Sequence, residues 1–295
     1  MAGKIGKFLF KLRRTVFGDP PPRVAVLPLY GVIAAGGRFK QSVNLAGFAD
    51  RIDEAFSTPG LSAVALLINS PGGSPVQSAL ITKRIRDLAA EKHIPVLAFA
   101  EDVAASGGYM LALAGDEIYA NESSLIGSIG VVSSGFGFTD AIAKIGVERR
   151  LYTAGESKAM LDSFSEEKEE DVARLREMQN EIHEHFKKMV RDRRGKRLKG
   201  LRGKIFSGEV FTGHEAVKLG LIDDLGDLRG VLRDRFGEKV KFQVLGEKKS
   251  RFGSLLGLKQ SNDMRAGGSL GGMADLPHAV ISAVEERLFW NRFGL

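Results

Sequence analysis

Two continuous apolar runs, Val64 to Ile68 and Val96 to Ala100, each lead into a glycine-rich turn and then a helical pattern. A strand that is apolar on both faces belongs in a parallel sheet with helices packed over it. The first run passes through Asn69-Ser70-Pro71-Gly72-Gly73-Ser74-Pro75 into a helix expected over Val76–Glu91. The second passes through Ser106-Gly107-Gly108 into an apolar helix ending at Ala114, with a strand at Glu117–Ala120. Val24–Leu29 reads as an earlier strand. Asn44–Phe56 reads as a helix with Leu45, Phe48, Ile52 and Phe56 on its apolar face. A short strand is expected over Gly127–Val132, a helix over Thr139–Ile145 and a strand over Glu148–Thr153. The alternation predicts an α/β fold with mostly parallel pairing.

The pattern changes at Ser165. A long charged helix is expected from there to Arg194, with Ser165 as its cap and Glu166, Glu167 and Glu169 in its first turn. Gly213–Gly220 reads as a short helix with a glycine stop, followed by strand-like Leu221-Ile222. Four segments result: a basic amphipathic or disordered tail (1–23), the main domain (24–245), a Gly/Ser/Lys-rich linker (246–274) and an amphipathic C-terminal segment (275–295).

Charge and cysteine usage exclude several function classes. There is no cysteine, so disulfides, thiolate metal sites and a Cys nucleophile are ruled out. The net charge of +7 is concentrated in residues 1–23 (+5) and 187–204 (+9), which leaves the rest at −7. Two patches on an acidic body do not describe a specific nucleic-acid-binding domain. The run 187–204 lacks interleaved aromatics and reads as a solvated helix end and loop, of a kind that suits anionic lipid.

No stretch reaches the ~18 apolar residues a membrane span needs. The N-terminus is basic and interrupted, without the apolar core and cleavage site of a signal peptide. Phe8, Leu9, Leu12 and Val16 share one helical face, which fits either a membrane-surface anchor or a plain basic tail. The expectation is a cytoplasmic protein, or one peripheral on the inner membrane.

Ser106 sits at a strand-to-helix turn, with its hydroxyl near the positive end of a helix. Such a hydroxyl needs a base. None of the five histidines has a supporting local signature, and His183-Glu184-His185 is not at a metalloprotease spacing. The alternative is Lys158, in the Gly155-containing loop after the expected strand and followed by Ala159, Met160 and Leu161. A desolvated lysine can be neutral near pH 7 and accept a hydroxyl proton. The turn Ser70-Pro71-Gly72-Gly73 follows a buried strand and opens a helix, so its free N–H groups are candidate oxyanion donors.

Taken in order, five segments resemble the signal peptide peptidase A family. They are Asn69–Gly73, Ser106-Gly107-Gly108, Gly115-Asp116-Glu117-Ile118-Tyr119-Ala120, Gly127-Ser128-Ile129-Gly130-Val131 and the Lys158 loop. The resemblance runs from about Val24 to Leu245 and takes in Gly203-Lys204-Ile205-Phe206-Ser207-Gly208 and Ala216–Leu225. It implies a bacterial serine–lysine endopeptidase with a Clp/crotonase-like spiral of repeated ββα units, the long helix and C-terminal extension serving oligomerisation.

By position it implies Ser106 as nucleophile, Lys158 as general base, Gly73 with Gly107 as oxyanion hole, and Ser128 orienting the lysine amine. No metal or cofactor is implied. The expected partners are apolar peptides such as remnant signal peptides, and further copies of the chain in a ring of four or eight. In half-length members a neighbouring subunit can supply the lysine. Many members also carry an N-terminal membrane span, where this sequence has only its short basic stretch.

Four other readings remain at this point. A crotonase-like coenzyme A thioester enzyme would have no reason to pair Ser106 with Lys158. A Clp-type Ser-His-Asp protease expects a histidine soon after the serine, and none lies between Ser106 and Lys158. A non-catalytic membrane-surface scaffold would not need Ser106, Lys158 and Gly73 intact. A phage capsid-maturation protease would share the same motifs.

Overall fold

In a computed structural model the described residues are 20–35, 42–155, 157–200, 202–246 and 287–295. The tail before residue 20 and nearly all of the expected linker lie outside them.

One sheet organises the molecule. Its central strands are β1 (Arg23–Tyr30), β2 (Leu61–Ser70) and β3 (Val96–Ala105), mutually parallel. In β1 the side chains alternate: Ala25, Leu27 and Leu29 enter the main core, while Val24 and Val26 enter a smaller core on the opposite face. Both faces are buried, as the continuous apolar runs required.

β3 is twice as long as its apolar run and serves two partners. Leu97–Ala100 pairs with β4 (Glu117–Ala120), and Val103–Ala105 pairs with β5 (Leu125–Gly127). Between these two stretches Glu101 and Asp102 are exposed. Further strands are β6 (Val210–Thr212), β7 (Asp224–Leu225) and β8 (Lys241–Val244). The order is β6-β5-β3-β2-β1-β8, with β4 and β7 branching from β3. The β5–β6 pair alone is antiparallel among the described strands.

The helices that follow the central strands are α1 (Leu45–Ser57), α2 (Pro75–Lys92) and α3 (Gly107–Ala112). Asn44 caps α1 and Ser74 caps α2 through their side-chain oxygens. After α4 (Thr139–Lys144) comes the long α5 (Glu169–Arg194). Then come α6 (Arg202–Ile205), α7 (Gly213–Leu219) and α8 (Leu228–Phe236). α8 covers the smaller core through Leu232. This is the expected α/β arrangement, and its Gly-Gly turns lie where β2 and β3 hand over to α2 and α3.

Several local expectations are corrected. The strand expected over Gly127–Val132 stops at Gly127, because Ser128 takes a positive φ of 51° and donates its N–H to Glu209 O. Glu148–Thr153 is not a strand: no strand among the described residues pairs with it. α5 begins at Glu169, and its N-cap is Lys168. Ser165 instead donates its hydroxyl to Asp162. Leu221-Ile222 is a buried turn, and the strand follows at Asp224–Leu225.

The basic run is also less solvated than its composition implied. Arg194 is buried, with Nε donating to Gly220 O and the guanidinium paired with Asp223 at 2.7 Å. Arg193 donates to Leu113 O and Gly115 O, and Arg197 to Asp116 O and Asp223. Three cations of the run therefore fasten α5 to the turns after α3 and α7. Burial alone would push the Asp223 carboxyl up. The Arg194 guanidinium, the Ile118 N–H and Arg197 outweigh that and hold it below its ordinary value.

Candidate active site

Ser106 closes β3 and precedes α3 with φ 52° and ψ −121°, a strained conformation for a residue with a side chain. It is fixed from both sides. Its N–H donates to Gly127 O at 2.8 Å, and its carbonyl accepts the Met110 N–H at 3.1 Å. The side chain is half-buried and makes no capping bond to α3.

The Ser70–Ser74 loop lies against this turn. Ser70 Oγ accepts the Gly72 N–H, Gly72 O accepts the Ile33 N–H at 2.8 Å, and Ser74 N–H donates to Ile33 O at 2.7 Å. Gly72 has φ 103°, and a Cβ there would fall 2.8 Å from the Cβ of Ser106 and 2.9 Å from the N of Gly107. A Cβ on Gly107 would meet Ser78 Oγ at 2.5 Å and the N of Gly73 at 3.3 Å. Only backbone without side chains lets the two turns approach this closely. The result places the amides of Gly73 and Gly107 side by side next to Ser106. Neither amide donates a hydrogen bond among the described residues.

Residues that the sequence reading passed over hold this geometry. Asn69 Nδ2 donates to Asp102 at 2.7 Å, and Asn69 Oδ1 accepts the Val103 N–H. Ser78 donates to Ser74 O, and the buried Thr82 donates to Met110 O at 2.9 Å. Ser78 and Thr82 interrupt the buried stripe of α2 one turn apart, and that is the signal that could have marked them. Tyr109 is fully buried, and its hydroxyl donates to Leu221 O at 2.6 Å, which anchors the start of α3. Burial pushes that phenol far up.

Ser128 belongs to the same neighbourhood through the backbone. It is buried and follows Gly127, whose carbonyl holds Ser106. Two residues on from Gly127, Ile129 O lies 2.9 Å from His183 Nε2 on α5. His183 is therefore committed to that loop.

Lys158 is not brought in. It is exposed, in a turn where its N–H donates to Gly155 O, and its side chain bonds neither Ser106 nor Ser128 among the described contacts. The segment that carries it exposes Val132, Phe136, Ile145 and Tyr152, at 66%, 79%, 74% and 90%. It is folded on itself: Phe138 stacks on Phe164, and Phe138 N–H donates to Ser163 O. Of the five expected site residues, Ser106, Gly73 and Gly107 thus meet at one pair of turns, and Ser128 follows the residue whose carbonyl holds Ser106. The fifth lies on an exposed apolar segment.

A groove of about 690 Å³ between α8 and the sheet, lined by Phe99, Leu225 and Phe242 among others, contains none of these residues. Among the described residues no cluster of three metal-ligating side chains occurs, and no helix is long and apolar enough to cross a membrane.

The model of peptidase family S49 matches residues 89–239, half of the chain. The Na(+)/H(+) antiporter NhaA of Brucella abortus is 48% identical over 276 residues, covering 92% of this chain and 37% of that protein. Protease 4 of Salmonella typhi is 32% identical over 212 residues, covering 71% of this chain and 33% of that protein. The chain thus spans about a third of the length of these relatives. A solved 1510-N membrane-bound stomatin-specific protease variant, in complex with a substrate peptide, aligns over 77% of this chain and 93% of its own. Its TM-score is 0.48 and its identity 17%.

Proposed function

This chain belongs to peptidase family S49, the serine-type peptidases of the signal peptide peptidase A kind, and we propose that it is an endopeptidase that cuts extended apolar peptides through an acyl-enzyme. The observation that carries the reading is the interlocked pair of turns, with Gly72 flush against Ser106 and two amides beside it that donate to no acceptor among the described residues.

In this mechanism Ser106 Oγ attacks the peptide carbonyl and gives its proton to Lys158 Nζ. The Gly73 and Gly107 N–H groups stabilise the oxyanion. Lys158 then passes the proton to the leaving amine, and water releases the acyl group with the lysine again as base. Ser128 orients the amine. No metal or cofactor takes part.

A neutral amine needs a site from which water is excluded, and Lys158 is exposed in the single chain. We therefore assign the lysine of each site to a neighbouring subunit. Docking of the exposed apolar segment would bury that lysine, and a head-to-tail contact whose rotation closes would give a ring of four or eight copies. His183 is disfavoured as the base by its engagement with Ile129 O. The antiporter name belongs to a protein of which this chain matches 37%, and transport is not proposed.

The test is cleavage of fluorogenic apolar peptides by wild type, Ser106→Ala and Lys158→Ala, with solution mass measured on the same samples. Loss of activity in both variants at unchanged mass supports the dyad. Activity that survives Lys158→Ala removes the lysine from it.

A further inference from the structure

α2 carries hydroxyls where its buried stripe would otherwise be apolar. Ser78 and Thr82 lie among Ile81, Ile85, Leu88 and Ala89, and Ser78 is fully buried. Alanine is the better helix former and would fill nearly the same space. A serine there breaks a local rule, and such breaks concentrate at functional sites.

The Ser78 hydroxyl stands at the joint between the two turns. Its proton goes to Ser74 O at 2.8 Å. The Ser74 N–H in turn donates to Ile33 O at 2.7 Å, so the residue after Gly73 is gripped at both ends. Gly73 itself is pressed on Ile33: a Cβ on it would fall 2.0 Å from Ile33 O. On the other side the Ser78 oxygen faces Gly107. A Cβ added to Gly107 would meet that oxygen at 2.5 Å, Ile33 Cδ1 at 3.2 Å and Gly73 N at 3.3 Å. One turn along α2, Thr82 donates to Met110 O at 2.9 Å, and the Met110 N–H donates to Ser106 O.

A serine that bonds the carbonyl four residues back is a common helix contact and says nothing of function by itself. That habit does not account for the contact with Gly107. One buried oxygen bonds the loop that carries the first candidate oxyanion donor and packs on the turn that carries the second.

We infer that Ser78 is a positioning residue of the oxyanion site, whose hydroxyl fixes the separation of the Gly73 and Gly107 amides. The inference rests on the peptidase reading and names a residue on which the rate of that reaction depends. The two amides matter most when negative charge develops on the carbonyl oxygen. Their spacing therefore acts on the transition state and not on the bound peptide. Stability depends on the hydroxyl only slightly. Without it Ser74 O keeps the Ser78 N–H at 3.1 Å, so no buried acceptor is left unpaired.

The test compares cleavage of fluorogenic apolar peptides by wild type, Ser78→Ala and Ser78→Thr as full chains. Threonine keeps a hydroxyl that can bond the carbonyl four residues back. Ser78→Ala should lower kcat about 10- to 100-fold at unchanged KM, between the effects of a shifted donor and a removed one. Its melting temperature should fall by only about 2–4 °C. A peptide aldehyde supplies the second readout. Ser106 Oγ bonds its carbonyl carbon, the hydroxyl proton passes to Lys158, and the carbonyl oxygen becomes the oxyanion between the two amides. Inhibition by the aldehyde should weaken by the same factor as kcat, and Ser78→Thr should recover both.

Ser78→Ala at wild-type kcat, a loss carried by KM alone, or a loss that Ser78→Thr does not recover overturns the inference and leaves the peptidase reading standing. A wild-type chain that neither cleaves the peptides nor binds the aldehyde overturns the peptidase reading, and the inference with it.

Discussion

Gly72 and Ser106 touch through backbone and Cβ alone: a methyl group on Gly72 would stand 2.8 Å from the serine Cβ. The contact couples the donor loop to the nucleophile turn, so neither moves without the other. Gly72→Ala combines that clash with a φ of 103°, a conformation costly for any residue with a side chain. We predict a kcat loss of about 100-fold or more, the scale of a misplaced oxyanion donor, in a protein that still shows a cooperative thermal transition. Peptide kinetics alongside calorimetry check it.

Tyr109→Phe removes the phenol that satisfies the Leu221 carbonyl. The expected cost is about 1–3 kcal/mol, that of a buried acceptor left unpaired, measured by urea unfolding. Because Tyr109 anchors α3 directly behind Ser106, kcat should fall with stability.

Arg194 is buried and paired with Asp223. Arg194→Met leaves the half-buried Asp223 with only Arg197 and the Ile118 N–H and the Gly220 carbonyl without its donor, at a cost of about 1–3 kcal/mol, so it should lower the melting temperature at pH 7. Asp223 is held below its ordinary carboxyl value in the folded chain. Its contribution is therefore fully present above the unfolded aspartate value, about 3.9, and is lost as pH falls through the depressed folded value. The gap in melting temperature between wild type and Asp223→Asn should be wide at pH 7 and close in strong acid. A gap that stays constant with pH contradicts the assignment.

How much of this was legible in the sequence depends on range. The apolar runs, the Gly-Gly turns and the α1 and α2 boundaries are local signals, and they put Gly73 and Gly107 in the turns after β2 and β3. The second half of β3 was missed because Glu101-Asp102 breaks the apolar run, and its pairing with β5 is a tertiary choice. Arg193, Arg194 and Arg197 read as solvent cations because composition does not record which carbonyls a helix end will meet. Lys158 could be named from its loop but not brought to Ser106. Its segment leaves apolar surface unburied in a single chain, and what covers that surface is not a local property.

That exposed segment makes its own prediction. Tyr152 at 90% and Phe136 at 79% exposure are too apolar to be left in water in numbers. Phe136→Glu with Tyr152→Glu should convert the proposed ring to a folded monomer by light scattering and abolish peptide cleavage. An unchanged mass would place the subunit contact elsewhere.

The central claim is that one chain's Ser106 is served by its neighbour's Lys158. Ser106→Ala and Lys158→Ala chains, each inactive alone, should be dissociated, mixed in equal amounts and reassembled. In a ring with random placement, about a quarter of the sites join an intact serine to an intact neighbouring lysine, so about a quarter of wild-type activity should return. A mixture that assembles to full mass and stays inactive would contradict the account and put both residues of the site in one chain.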